Sequence, residues 1–99
     1  MAIVQTITFE KAGEILDIDT LISVIEESIN YSEIGTEIDK YAENITYSMV
    51  NEADGTVTLT RTWANDADYA AYKTACSDLN AAHRADIESN GITVTAVEP

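Results

Sequence analysis

The chain has 99 residues, 45% of them hydrophobic, and a net charge of −13 from eighteen Asp and Glu against five Lys and Arg. The apolar share is enough for one core and speaks against disorder, so residues 1–99 read as a single domain. The acidity speaks against binding nucleic acid phosphates or an anionic membrane, which both require basic patches, and permits a basic protein partner.

Residues 2–10 alternate, with Ile3, Gln5, Ile7 and Phe9 on one side and Val4, Thr6, Thr8 and Glu10 on the other. A period of two makes this a strand. Lys11-Ala12-Gly13 breaks it, and Asp17 or Asp19 is placed to cap a helix. Leu21, Ile22, Ile25 and Ile29 then recur at helical spacing, with Glu26 and Glu27 opposite. Gly35 is expected to interrupt, and Thr36 to open a shorter helix with Ile38 and Tyr41 inward.

Ile45, Tyr47 and Met49 alternate with Thr46, Ser48 and Val50, and Val57, Leu59, Arg61 and Trp63 with Thr56, Thr58, Thr60 and Thr62. Between them Asp54-Gly55 supplies a residue pair that tolerates positive φ, the mark of a hairpin turn. After Trp63 the period changes. Asn65 or Asp66 caps a long helix whose Tyr69, Tyr72, Cys76, Leu79, His83 and Ile87 form one stripe, with Ser77-Asp78 offering a second cap that would allow a kink. Asn90-Gly91 stops it, and residues 92–97 alternate as a last strand.

The order β-α-β-β-α-β predicts an α+β, ferredoxin-like fold: a four-stranded antiparallel sheet with two long helices on one face. The apolar strand sets meet the helices. The other face is then rich in threonine (Thr6, Thr8, Thr46, Thr58, Thr60, Thr62, Thr93 and Thr95, with Ser48). Threonine prefers strands yet accepts water, so this face is either wet or paired with a second copy, and a homo-oligomer, a dimer above all, is expected.

No motif announces chemistry. The single cysteine, Cys76, permits no intrachain disulfide, fits a reducing, cytoplasmic compartment, and reads as a small core hydrophobe. The four glycines are scattered, so there is no phosphate loop; Cys and His are too few for zinc, and neither the Asp17/Asp19 nor the Asn51/Glu52/Asp54 group has calcium-loop spacing. No cofactor or metal is expected. The start of the chain lacks a basic n-region, and no stretch approaches membrane-spanning length. His83, the one histidine, has Asp86 one helical turn away as a partner for base chemistry, against the simpler reading of a half-buried stripe residue. Trp63, Tyr69 and Tyr72 read first as core aromatics. Arg61, on the core-facing alternation, is expected to pair with Glu10 or Asp66.

The run Arg61-Thr62-Trp63-Ala64-Asn65-Asp66-Ala67-Asp68-Tyr69-Ala70-Ala71-Tyr72 resembles the dimeric α/β-barrel proteins, especially their small antibiotic-biosynthesis-monooxygenase-like branch: a strand ending in Trp, a small polar residue or two, then a helix opening with aromatics. The resemblance covers roughly thirty residues. It implies a barrel made by stacking two open sheet faces, and cofactor-free oxygenase chemistry in an apolar cavity. The residues implied as catalytic candidates are Trp63, Asn65, Tyr72, His83 and Arg84. The chain is similar also to small acidic bacteriophage proteins with a Trp-capped strand and no catalytic set, which would imply a virion location. Three functions follow as expectations. The first is a self-associating accessory or structural protein without catalytic activity. The second is a monooxygenase-like or small-ligand-binding dimeric barrel. The third is an acidic nucleic-acid mimic that inhibits a basic protein, with Glu26, Glu27, Glu33, Glu37 and Asp39 as its densest charge.

Overall fold

Nine alternating residues, Ile3–Lys11, form strand β1 at the middle of the sheet. A computed structural model describes residues 2–97. The order of elements is β1, α1 (Ile18–Glu27), α2 (Tyr31–Asp39), β2 (Ile45–Asn51), β3 (Val57–Trp63), α3 (Asp66–Glu88) and β4 (Ile92–Val97), with a short 3-10 turn, Ala42–Asn44, ahead of β2. The sheet runs β2-β3-β1-β4 and every neighbouring pair is antiparallel. This is the ferredoxin-like arrangement with its first helix divided in two.

Each break in the pattern has a local cause. Between β2 and β3, Asp54 Oδ1 accepts from the Thr56 N–H (3.1 Å) and hydroxyl (2.7 Å), while Gly55 takes φ +88°, a conformation L side chains avoid. The loop after β1 is tied to this hairpin, since Leu16 N–H donates to Gly55 O (2.9 Å) and Ile18 N–H to Asn51 Oδ1 (3.0 Å). Asp17 caps α1, accepting from Thr20 N–H at 2.8 Å. Asn65 caps α3 in the same way, accepting from Asp68 N–H at 2.9 Å. That helix runs unbroken over 23 residues, with no kink at Ser77-Asp78.

The first helix does not break at Gly35, which lies inside α2. It breaks at Ser28–Asn30. Ser28 Oγ donates back to Val24 O (2.6 Å), and Asn30 turns to φ 67° in the left-handed region. Asparagine is among the few non-glycine residues that occupy this region. The elbow is held from α3: Ile29 N–H donates to Asp86 Oδ2 (2.7 Å), His83 Nδ1 donates to Ile29 O (2.8 Å), and Asn30 Nδ2 donates to Leu79 O (3.3 Å). His83 and Asp86 thus clamp one backbone unit together instead of contacting each other.

The bend lets two short helices cover two ends of one sheet. Around one end Phe9, Leu16, Leu21, Val57, Ile87, Ile92 and Val94 are buried, with Val24 and Ile25 of α1 packed against them. Around the other Ile34 of α2 meets Ile45, Trp63, Tyr69, Tyr72 and Cys76. Trp63 and Cys76 are both fully buried, and burial pushes the Cys76 thiol pKa up.

The hydrogen bond at the start of α1 also lowers the Asp17 carboxyl below its ordinary value of 3.8. A lowered folded pKa contributes stability that is present above about pH 4 and is lost as pH falls through the folded value. Asp17→Ala is therefore expected to lower stability at pH 7. The difference between variant and parent should shrink toward pH 2 in urea melts at a series of pH values; a difference independent of pH would show that the carboxylate is not the capping group.

Candidate functional site

Two of the core-facing positions in the central strands are polar. On β1 the order is Ile3, Gln5, Ile7, Phe9; on β3 it is Trp63, Arg61, Leu59, Val57. Antiparallel register sets Gln5 beside Arg61, and Arg61 beside Tyr47 of β2. A polar row thus crosses three strands on the face that the helices cover. It lies between the two core clusters: Ile45, Trp63 and Ile3 on one side, Met49, Leu59 and Ile7 on the other.

Gln5, which is buried, organises this row. Its Oε1 accepts from Trp63 Nε1 at 2.8 Å and from Arg61 Nε at 2.9 Å. The Arg61 guanidinium carbon lies 5.4 Å from the centre of the Tyr72 ring. Tyr47 stands beside Arg61; desolvation raises its phenol pKa, and the guanidinium partly opposes the rise. The expected ion pair of Arg61 with Glu10 or Asp66 does not form: Glu10 belongs to the opposite face of β1, and Asp66 lies in the first turn of α3 beyond Trp63.

Above the row the helices leave a cleft of about 590 Å³. Its floor is the sheet: Gln5, Ile7, Phe9, Leu59, Arg61 and Val94. One wall is α3, through Tyr72, Asn80, His83, Arg84 and Ile87; the other is the α1–α2 elbow, through Ile25, Tyr31, Ile34, Gly35 and Ile38. A side chain at Gly35 would meet nothing within 4 Å, so glycine leaves that wall recessed. Asn80 Nδ2 donates to the Tyr72 hydroxyl at 3.0 Å across two turns of α3, which holds the phenol at the cleft. The elbow clamp is at its mouth, where Tyr31 stacks on His83 with centroids 6.5 Å apart. Gln5, Phe9, Ile34, Tyr72, Ile87 and Val94 are buried, whereas Tyr31, Tyr47, Lys73 and Arg84 form an exposed rim.

Of the five residues singled out in the sequence, Tyr72, His83 and Arg84 line the cleft. Trp63 lies beneath it, its indole spent on Gln5 and its ring packed against Tyr41, Tyr69 and Tyr72. Asn65 is at the cap of α3 and has no wall of the cleft. Gln5, Arg61, Tyr47 and Asn80 were not among the candidates. For Gln5 and Arg61 the signal was a polar residue at an apolar position of an alternating strand; Tyr47 and Asn80 had none. Among the described residues, no three His, Cys, Asp or Glu side chains converge as a metal site needs.

Among the described residues, no helix covers the opposite sheet face. Thr6 faces Thr60, Thr8 lies between Thr58 and Thr95, and Thr62 lies between Val4 and Thr46. The valines of this face, Val4, Val50 and Val97, are 50%, 46% and 64% exposed. No helix among the described residues is long and apolar enough to cross a membrane.

No protein-family model matches the chain, and no curated protein matches it in sequence. Solved structures match in shape. A dimeric ferredoxin-like protein from an uncultured marine organism aligns over 100% of this chain and 94% of its own, with a TM-score of 0.56 and 11% identity. The protein Rv0793 of Mycobacterium tuberculosis aligns over 100% and 95%, with a TM-score of 0.55 and 14% identity. A de novo designed protein with a ferredoxin fold aligns over 99% and 84%, with a TM-score of 0.56 and 16% identity. At these identities the likeness is one of fold, and the fold is ferredoxin-like.

Proposed function

We propose that this protein binds a small molecule in the cleft between its sheet and its helices. The observation that carries the reading is the cleft itself. At about 590 Å³ it falls in the size range of small-molecule sites, and its largely apolar wall carries a few placed polar groups, Arg61, Tyr72 and Asn80. A core that needed only to be stable would have closed over this space, since empty volume costs packing energy. The resemblance to the monooxygenase-like branch supports the reading in part, because it too implies an apolar cavity, and three of its five implied residues, Tyr72, His83 and Arg84, line this cleft while Trp63 and Asn65 do not. The residues present bind and orient: Tyr72 is held by Asn80, Arg61 by Gln5, and His83 is committed through Nδ1 to the elbow. Titration with an amphiphilic fluorescent probe, the anion 1-anilinonaphthalene-8-sulfonate, tests the cleft. Saturable binding to the folded protein, abolished by filling the recess with Gly35→Leu, is the expected result. Probe binding unchanged by that substitution would place it elsewhere and overturn the reading.

Self-association is a second reading, favoured by the uncovered threonine face and by the dimeric ferredoxin-like neighbour. Light scattering across a concentration series is expected to show a dimer. A constant monomer mass to high micromolar concentration would remove it. The nucleic-acid-mimic reading has less support. Several carboxylates are already engaged: Asp17, Asp54 and Asp86 are bound to backbone, and Glu14, Glu37 and Glu88 sit in ion pairs on different elements.

A further inference from the structure

The charge of this molecule is distributed against its average at the cleft. The chain carries −13, yet three of its five Lys and Arg residues, Arg61, Lys73 and Arg84, line the cleft. Among the described residues, Asp39 is the one carboxylate on its wall. The two outer cations are partly committed. Arg84 approaches Glu88 at 3.7 Å and Lys73 lies over the Tyr69 ring at 5.4 Å. Arg61 is different. It rises from the floor between the two apolar clusters, and its described partners are an amide, a phenol and an aromatic face, none of them anionic.

A half-buried guanidinium without a counter-charge costs desolvation energy, and a ligand anion returns it. The Nε edge is engaged by Gln5, which fixes the plane of the group. The remaining N–H groups form a planar fork suited to two parallel bonds to a carboxylate. On either side the floor and walls are aliphatic, through Ile7, Leu59, Ile34 and Ile87.

We propose that the ligand is an organic carboxylate, an apolar body lying in the cleft with its carboxylate on Arg61; this rests on the reading of the cleft as a small-molecule site. The rest of the surface repels anions at long range, so recognition depends on local contact with Arg61. The Tyr47 hydroxyl borders the same point. A neutral molecule of the same shape fills the apolar space and leaves the guanidinium unpaired.

The test is a matched pair, sodium decanoate and 1-decanol, titrated into the isotope-labelled full chain at pH 7 and followed by amide chemical shifts. Decanol is the more hydrophobic, and the net charge disfavours decanoate, so both general effects run against the proposal. Decanoate is expected to bind about tenfold or more tightly than decanol, as a charge-assisted pair implies, with the largest shifts at Leu59, Arg61 and Tyr72. Arg61→Gln is expected to remove that preference while decanol binding persists. Gln5→Glu is the second variant. It keeps an acceptor for Trp63 and supplies Arg61 with an internal carboxylate, so it too should erase the preference. Equal or tighter binding of decanol, or a decanoate preference that survives in a folded variant, overturns the carboxylate assignment and leaves the cleft as a ligand site. Failure of both molecules to shift cleft amides overturns the small-molecule reading as well. If neither variant folds, the decanoate-to-decanol ratio of the parent protein decides.

Discussion

Trp63→Ala is expected to destabilise the fold by about 3–5 kcal/mol, the range for deleting a fully buried large aromatic. Trp63 is 0% exposed and ends the strand on which α3 begins. Three tyrosine rings pack on it, Tyr41 at 5.9 Å, Tyr69 at 5.7 Å and Tyr72 at 5.1 Å between centroids. Removing the indole leaves a void bounded by three elements that cannot all move in, and it withdraws one donor from Gln5. Typical domains of this size have about 5–15 kcal/mol in total, so the loss is a large part of the whole. Guanidinium melts should show the midpoint falling with little change in slope. A midpoint that barely moved would mean that Trp63 is solvent-exposed and open to a partner role.

The second large effect is expected at Gln5, where a gain in hydrophobicity should destabilise. Gln5→Leu nearly conserves volume and removes a buried amide, so transfer energies alone would predict a gain. The structure predicts a loss of about 1–3 kcal/mol, the penalty for stranding a buried donor. Trp63 Nε1 loses its acceptor in a place water does not reach, while Arg61 Nε can turn to solvent in the cleft. A double-mutant cycle with Trp63→Phe isolates this cause. Phenylalanine has no N–H, so Gln5→Leu should cost less in that background, and the difference is the coupling energy. Additive effects would show that the Gln5–Trp63 bond contributes nothing, and that the row is a packing feature only.

The two substitutions bear on the proposed ligand site through one residue. Gln5 holds Trp63 on one side and the edge of Arg61 on the other, so the most buried part of the core also orients the one cation on the floor of the cleft. If the cleft binds the proposed carboxylate, a variant with a loosened Gln5 is expected to lose ligand orientation together with stability. Arg61→Gln leaves the Trp63 bond in place and so separates the two.

The primary sequence determined the elements, because each rests on local physics. Alternation of Ile3, Ile7 and Phe9 with Thr6 and Thr8 makes a strand with one apolar face wherever the strand is placed. Asp54-Gly55 turns a hairpin, and Asp17 and Asn65 cap helices through bonds to residues three positions away. The order of these elements leaves few topologies, and the ferredoxin-like one is observed. The threonine face followed from the same period of two. Tertiary structure decided the rest. The first helix breaks at Asn30 rather than Gly35, since a left-handed asparagine is stable there only when α3 supplies His83, Asp86 and the Leu79 carbonyl to hold the elbow. The cleft is likewise non-local. Gln5 and Arg61 are 56 residues apart and each reads alone as an imperfection in an apolar strand. Antiparallel register makes them neighbours, and the bent first helix leaves the space above them open.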